Sequence, residues 1–560
     1  MCGFVGAINY QHNLLQAWNA TSWRGNVYGA WQSDHCSMLS ARLARSGDRL
    51  RPQPVVVNKR YVLSFNGEIY NIHELKRLVN SDKVCFEGNL SDTEALALIL
   101  SSSQDKIEVI KMIDGEFALA LYDQERNELI LARDIMGTKP LFYSHNHNQV
   151  SFASSAKAVS LITNTGQVPD WLSIQHVFEF GVTPSANAFE GVYSVQPGEI
   201  IFFDNNLHST RSSSNVIKHL GDTSILDQLA TAVHNRYEPG KTALAFSGGV
   251  DSSLIKLVAP EIPCYTIVQK PEEPEKNQRT VLINEMNLLD HLKKLWNYID
   301  RPFSTLSTVA MSILMEEMRK DGIENVLSGE GADEIFCGYP HYYKKSMGHP
   351  VLKRHKHSFE IAKKLSHIKL DQTASFFEPF TNSMAPSDWL KFDRWTRLPQ
   401  HLTLLHTDCT SLVNQLEARL PFLDLVAFQV NDPGELSIPK KPLKDLLPIG
   451  SDQYRSKQGL FVPCGIFSDN LLLEICNQDF SCLQPQIPSY FREQCENNLK
   501  KIALLPETLA KELREILART IIQVAALPTI LYKTCKSAKI HYQYTSLSYD
   551  KEPLVCQQHP

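Results

Sequence analysis

A chain of 560 residues is too long for one hydrophobic core, so about two to four domains are expected. Hydrophobic residues at 43% and charged residues at 21% give the profile of a soluble globular protein, and a net charge of -5 argues against nucleic acid as the main partner. No apolar run reaches the ~20 residues of a membrane span; the nearest, Ile521 to Tyr532, is interrupted by Gln523 and Pro528 and reads as a buried helix end.

The chain opens Met1-Cys2-Gly3-Phe4-Val5-Gly6, without the charged and apolar regions of a signal peptide. Its 12 cysteines show no C-x-x-C pair, which suits reduced thiols in a cytoplasmic protein. Cys464, Cys476, Cys482 and Cys495 are poorly spaced for zinc. If Met1 is removed, Cys2 carries both a thiol and a free α-amine. An α-amine titrates at about 7.7–8.0, so it can take the thiol proton and make one residue both nucleophile and base. Arg42, in Ser-Ala-Arg-Leu-Ala at an expected strand end, offers a guanidinium to a carboxylate. Tyr61 to Phe65 reads as a strand, followed by Asn66-Gly67-Glu68-Ile69-Tyr70-Asn71. An Asn amide beside a Gly N–H suits an oxyanion hole, although Asn-Gly is also a common turn. Glu68 and Asp92 are placed to receive an ammonium group, and Asp92 in Ser91-Asp92-Thr93-Glu94 also reads as a helix N-cap. The runs Phe117 to Tyr122 and Glu128 to Ala132 alternate as strands of an antiparallel sandwich do.

Asn205 to Asp222 is polar and Ser-rich, the composition of a linker, and Ile225 to Val233 reads as a helix. The central stretch Leu244-Ala245-Phe246-Ser247-Gly248-Gly249-Val250-Asp251-Ser252-Ser253 is a short apolar run that breaks at Ser-Gly-Gly and opens an acidic helix. Such a turn points backbone N–H groups and the positive helix end at an anion, and glycine lets phosphate approach. Asp251 would repel phosphate unless a divalent cation lay between, so Mg²⁺ is implied. The spacing is not that of the G-x-x-x-x-G-K-[ST] loop. Cys264 to Val268 reads as a second buried strand. A third, Asn325-Val326-Leu327, runs into Ser328-Gly329-Glu330-Gly331-Ala332-Asp333-Glu334 and repeats the device. Strand and helix alternating in this way indicate a doubly wound parallel sheet with ligands at the strands' carboxyl ends. Thr508 to Leu527 has a helical pattern without chemical content.

The first half resembles the glutamine amidotransferase domain of the N-terminal-nucleophile hydrolases, as in asparagine synthetases. The match continues through Asp114-Gly115-Glu116-Phe117-Ala118, Ala132-Arg133-Asp134, Gly137-Thr138-Lys139-Pro140-Leu141 and Phe152-Ala153-Ser154. The central loop resembles the pyrophosphate loop of ATP pyrophosphatases, and with the loop at Ser328 it resembles the synthetase domain of the same family. Glu417-Ala418-Arg419-Leu420-Pro421-Phe422-Leu423-Asp424, Lys440-Lys441-Pro442-Leu443-Lys444 and Arg455-Ser456-Lys457-Gln458-Gly459 extend that likeness to about residue 465.

The resemblance implies an α+β four-layer αββα sandwich over 1–205 and a linker over 206–222. An α/β parallel-sheet ATP pyrophosphatase domain with many helices would follow over 223–470, then a helical extension over 471–560. It implies that Cys2 attacks the amide of glutamine, Asn66 and Gly67 stabilise the oxyanion, Arg42 holds the α-carboxylate, and Glu68 and Asp92 bind the amino group. Ser247, Gly248, Gly249 and Ser252 would contact pyrophosphate, Asp251 and Asp333 would share Mg²⁺, and Ala245, Val268, Ser328 and Gly329 would line AMP. Glu330 would lie beside the acyl-adenylate, and Lys440, with Lys441 as rival, would neutralise phosphate charge; a solvated basic turn is the plainer alternative.

The implied activity is ammonia transfer from glutamine to an acyl-adenylate made from ATP, with aspartate as acid and asparagine as product. The alternatives are an amide-forming synthetase acting on another acid, and a non-catalytic sensing or scaffold protein. The resemblance allows a homodimer without requiring one. The chain departs from the family at Trp23-Arg24-Gly25-Asn26, where loop closure is expected to differ, and at Ser154-Ser155-Ala156-Lys157. It departs again in the short segment between Val268 and Glu285, which puts the acid in question, and at Cys337, where the family has glycine near the acceptor.

Overall fold

The computed structural model describes residues 2–10, 14–45, 51–78, 90–163, 168–183, 185–214, 223–270, 277–303, 305–343, 385–436, 438–448, 462, 466–476, 487–505 and 507–532. The described chain divides into two compact units. The first runs to Val168 and resumes at Phe189; the second takes Pro169–Ala188 and the described residues after Val216.

The first unit is built on β1 (Cys2–Ile8), β2 (Val27–Gln32), β3 (Cys36–Arg42), β4 (Val55–Val57), β5 (Tyr61–Ile69), β6 (Gly115–Asp123), β7 (Glu128–Arg133), β8 (Phe142–Asn146), β9 (Gln149–Ala153), β10 (Tyr193–Ser194), β11 (Glu199–Phe203) and β12 (Ser209–Ser213). They form two six-stranded sheets, ordered β10-β8-β9-β1-β3-β2 and β12-β11-β7-β6-β5-β4, with antiparallel neighbours throughout. Strand side chains alternate between faces, and the second sheet uses both. Val62, Ala118, Ala120, Tyr122, Leu129 and Leu131 face Phe4, Met38 and Phe152 of the first sheet. Their neighbours Leu63, Phe65, Leu119, Leu121 and Ile130 face Leu75, Leu96, Ile99 and Ile110 of the covering helices. The helices Leu14–Asn19 and Ala156–Ile162 cover the first sheet, which completes the four layers αββα.

Three local differences from the sequence reading have simple causes. Asn66 and Gly67 lie within β5 rather than in a turn, because β6 pairs with them across the full strand. The N-cap of the helix Asp92–Ser102 is Ser91, whose hydroxyl accepts the Glu94 N–H while Glu94 reaches back, so Asp92 is the first helical residue. Ser209–Ser213, read as linker, pairs with β11 as an edge strand whose side chains are mostly exposed, so it carries no apolar alternation.

Asp134 explains one matched run of residues. Its buried carboxylate accepts the N–H groups of Phe117, Met136 and Thr138 and the Thr138 hydroxyl, while Arg133 donates to Ser194 and to the carbonyls of Val195 and Gly137. Burial nevertheless holds the Asp134 carboxyl above its ordinary range, against the pull of those donors.

The second unit carries a parallel sheet of β13 (Thr242–Ala245), β14 (Cys264–Val268), β15 (Gln278–Leu282), β16 (Asn325–Leu327) and β17 (Glu417–Arg419), in the order β15-β14-β13-β16-β17. The chain steps outward from β13 to β14 and β15, then returns to the other side of β13 for β16. The loops leaving β13 and β16 therefore diverge, and a crevice opens at the strands' carboxyl ends. The segment between Val268 and Glu285 contributes the strand β15. The long helix Glu507–Tyr532 buries Ile521 to Leu527, the stretch that most resembled a span, and no described helix is long and apolar enough to cross a membrane.

Replacing Asp134 with Ala strands three buried N–H groups, so D134A is expected to lose about 3 kcal/mol of first-unit stability in chemical denaturation.

Candidate functional sites

In the first unit β1 carries Cys2 into the space between β3 and β5. Cys2 is 5% exposed, and its backbone nitrogen donates to Asn66 Oδ1 at 2.8 Å. With Met1 attached that nitrogen is an amide; once Met1 is removed it is the α-amine. Asn66 is fully buried, and its Nδ2 has no hydrogen-bond partner among the described residues. A buried amide donor without an acceptor costs about 1–3 kcal/mol, and groups of this kind mark places where a ligand completes the bonding. Gly67 follows with φ +145, and a Cβ there would lie 1.9 Å from the Glu116 carbonyl oxygen, so only glycine fits between β5 and β6. Burial pushes the Cys2 thiol up, against the opposing pull of the N-terminal charge and Arg42. Proton removal from sulfur therefore calls for a base at hand.

Arg42 ends β3 directly across from Cys2 in the strand register and donates to the Arg51 carbonyl. Glu68 lies 3.5 Å from Arg45, and Asp92 sits at the start of its helix, where its Oδ1 accepts the Thr93 N–H. Arg24, in the divergent run near position 24, is 3% exposed and donates to the Cys2 carbonyl at 3.3 Å. That divergent loop is therefore packed against the nucleophile's own backbone. At the other divergent run, Ser154 Oγ accepts the Phe4 N–H and Ser155 caps the helix Ala156–Ile162.

In the second unit the loop after β13 turns through Gly248 at φ +69, with Gly249 heading the helix Val250–Val258. Ser247 and Ser252 lie 3.3 Å apart, Ser252 Oγ accepts the Ser247 N–H, and the Gly249 N–H donates to Ser247 Oγ. Ala245 and Val268 end their strands, and Ser328 and Gly329 follow β16. A Cβ at Gly329 would come within 2.8 Å of Asp251 Cβ, so the two strand-end loops touch. Lys440 joins them. Its Nζ lies 2.6 and 2.5 Å from the two Asp251 oxygens and 2.7 Å from Asp333 Oδ1. Lys440 is 5% exposed and has φ 55, whereas Lys441 points to Asp445 at the surface. Geometry thus sets Lys440, the sequence's first choice, apart from its rival Lys441. Burial alone would lower the Lys440 ammonium's pKa; the two carboxylates overcome it and hold it above the ordinary lysine range. A Cβ at Gly338 would meet both Asp333 and Lys440, so this packing also requires glycine.

The residues suit Mg²⁺. Two carboxylates already converge on one cation, the lysine ammonium, and no described cluster of three or more ligands forms a closed metal cage. Mg²⁺ is commonly bound by one or two carboxylates plus substrate phosphates.

Glu330 follows Gly329, and its Oε1 lies 2.8 Å from Nδ1 of the buried His406. Cys337 is fully buried at φ 55 beside Phe180, Tyr342 and Trp389. A left-handed backbone angle of this kind is one that glycine adopts most readily. Glu417 and Asp424 pair with Arg419 and Arg236 respectively. The run from Arg455 to Gly459, Cys464 and Cys482, and the basic stretch beyond Tyr343 lie outside the described residues; Cys476 and Cys495 are buried free thiols. The sequence reading missed Gln53 and His406. The only local signal for Gln53 is a polar residue held between Pro52 and Pro54; His406, inside the helical segment Asp393–Cys409, has none.

Fold and sites define a glutamine-amidotransferase-type αββα unit followed by a parallel-sheet unit with paired glycine-rich strand-end loops. Comparison with known proteins agrees: residues 1–213 match the glutamine amidotransferase domain family and residues 224–447 the asparagine synthase family. The chain belongs to the asparagine synthetase family of glutamine amidotransferases. It is 25% identical over 534 residues to glutamine-hydrolysing asparagine synthetase 3 of Bacillus subtilis, covering 80% of this chain and 85% of that protein. It is 26% identical over 539 residues to asparagine synthetase 1 of the same organism, covering 80% and 83%. It is 24% identical over 469 residues to the amidase chry2 of Gibberella zeae, covering 64% and 68%.

Removing the ammonium leaves two carboxylates facing each other. K440M is expected to lose about 3 kcal/mol in thermal or chemical unfolding and to recover part of it on adding Mg²⁺ but not Na⁺.

Proposed function

We propose that the protein is an ATP-dependent carbon–nitrogen ligase that takes its nitrogen from glutamine, with aspartate as the acid and asparagine as the product. The observation that carries this reading is a buried Cys2 gripped through its nitrogen by Asn66, whose amide donor has no partner among the described residues. The second unit of the same chain gathers Asp251, Asp333 and Lys440 at two strand-end loops.

In the first unit the free α-amine of Cys2 accepts the thiol proton, and sulfur attacks the glutamine carboxamide carbon. Asn66 Nδ2 and the Gly67 N–H receive the oxyanion. Arg42 pairs with the α-carboxylate, and Glu68 with Asp92 holds the α-ammonium. The proton held by the amine leaves with ammonia, and water then cleaves the thioester to give glutamate. In the second unit the acceptor carboxylate attacks the α-phosphorus of ATP and pyrophosphate departs. Ser247, Gly248, Gly249 and Ser252 cradle the departing pyrophosphate, while Ala245, Val268, Ser328 and Gly329 line the nucleotide. Asp251 and Asp333 would hold Mg²⁺, which neutralises phosphate charge when bound. Lys440 turns its ammonium to the same phosphates. Glu330 stands by the acyl carbon to take a proton from the attacking ammonia as AMP leaves.

A second reading keeps this chemistry and changes the acid. The short segment between Val268 and Glu285 and the bulk of Cys337 favour it, and the relative named an amidase is in keeping with it.

The test is a product assay with glutamine, ATP, Mg²⁺ and aspartate, following asparagine, AMP and pyrophosphate together. Equal yields of all three are expected. C2A is expected to abolish glutamine-driven synthesis while ammonium-driven synthesis persists, and D251N to cut AMP formation at least about a hundredfold. Glutamate formed without AMP would move the assignment to another acid, to be found by pyrophosphate exchange over a panel of acids. Full glutamine-driven turnover by C2A would overturn the nitrogen-donor assignment.

A further inference from the structure

The carboxamide of Gln53 is 3% exposed and held at both ends. Its Oε1 accepts the Phe65 N–H at 2.8 Å, and only the carbonyl end can do so. That contact fixes the orientation of the amide and leaves Nε2 to face the other way. Nε2 then lies 3.6 Å from Cys2 Sγ and 3.5 Å from Thr93 Oγ1. Phe65 is the neighbour of Asn66, which takes the Cys2 nitrogen. Successive residues of β5 therefore govern the two reactive groups of Cys2, Asn66 directly and Phe65 through Gln53.

We propose that Gln53 is a hydrogen-bond donor to the nucleophilic sulfur, fixing its position and favouring its thiolate. The proposal rests on the reading of Cys2 as the glutaminase nucleophile. A buried thiolate loses hydration, and a fixed N–H donor returns part of it. The Leu43 backbone N–H is the other donor to this sulfur. With Met1 removed, the charged groups around it are the α-amine of Cys2 itself, Arg42 at the end of β3 and Asp92 at the head of its helix. Arg24 is turned to the Cys2 carbonyl and Glu94 to Arg51. Gln53 is thus a neutral donor among charges whose effects on the sulfur partly oppose one another.

Two substitutions isolate the donor. Gln53→Glu keeps an oxygen for the Phe65 N–H and replaces the donor with an acceptor. Gln53→Met keeps the length and adds no charge. In full-length protein with Met1 removed, the rate of Cys2 alkylation by iodoacetamide is followed against pH, reading the N-terminal peptide by mass spectrometry. Its apparent pKa is expected to rise by about one unit in Gln53→Met, a tenfold slower reaction at lower pH, and further in Gln53→Glu. The pH profile of glutamine hydrolysis should move the same way. A wild-type alkylation profile in either variant, with unfolding midpoints unchanged, would overturn the proposal. Glutamine hydrolysis that survives in C2A would instead overturn the role of Cys2. The alkylation profile would still report whether Gln53 acts on the sulfur.

Discussion

One buried amide, that of Asn66, sets the geometry of the first unit. Its oxygen accepts from the nitrogen of Cys2, and its own N–H group has no partner among the described residues. An amide can serve two purposes only if it cannot rotate, and the sheet prevents that. β5 is bonded to β4 on one side and β6 on the other, and Gly67 lets β6 approach closer than any side chain would permit. The Asp134 carboxylate then ties β6 to the loop after β7 by accepting three backbone N–H groups. The network of buried polar groups around the loop after β7 thus serves, at a distance, the orientation of one side chain beside the nucleophile.

The second unit solves a different electrostatic problem. A crevice for a polyanion needs positive potential, yet its two loops bring carboxylates to the same place. Sheet topology explains the meeting, because β13 and β16 are neighbours whose loops leave in opposite directions. Glycine explains its closeness: side chains at Gly329 or Gly338 would force apart the groups that now touch. Lys440, held at a left-handed backbone angle, offsets one of the two carboxylate charges.

Much of this was legible in the sequence where backbone chemistry leaves a mark. Ser-Gly-Gly ahead of Asp251 and Ser-Gly-Glu-Gly ahead of Asp333 read correctly as strand-end loops, because glycine and an acidic helix start have few other uses together. The strands Cys264–Val268 and Asn325–Leu327 stand where the apolar runs put them. What stayed hidden depends on neighbours far along the chain. Asn66-Gly67 looks like a turn until β6 is placed beside it. The exposed strand Ser209–Ser213 has no apolar face to betray it. Gln53 reaches Cys2 across 51 positions, and His406 meets Glu330 from a helical segment with no chemical signature. Lys440 and Lys441 differ only in which way the backbone turns them.

The contact between Lys440 and the two carboxylates has a consequence for what belongs to the protein and what belongs to its substrate. Because Lys440 bonds to both carboxylates and offsets one of their two charges, the folded chain joins its two strand-end loops through its own side chains. In the proposed chemistry Asp251 and Asp333 would hold the ion together with the nucleotide's phosphates, to which Lys440 also turns its ammonium. The cohesion of the two loops and any binding of the ion are then separate properties of one crevice.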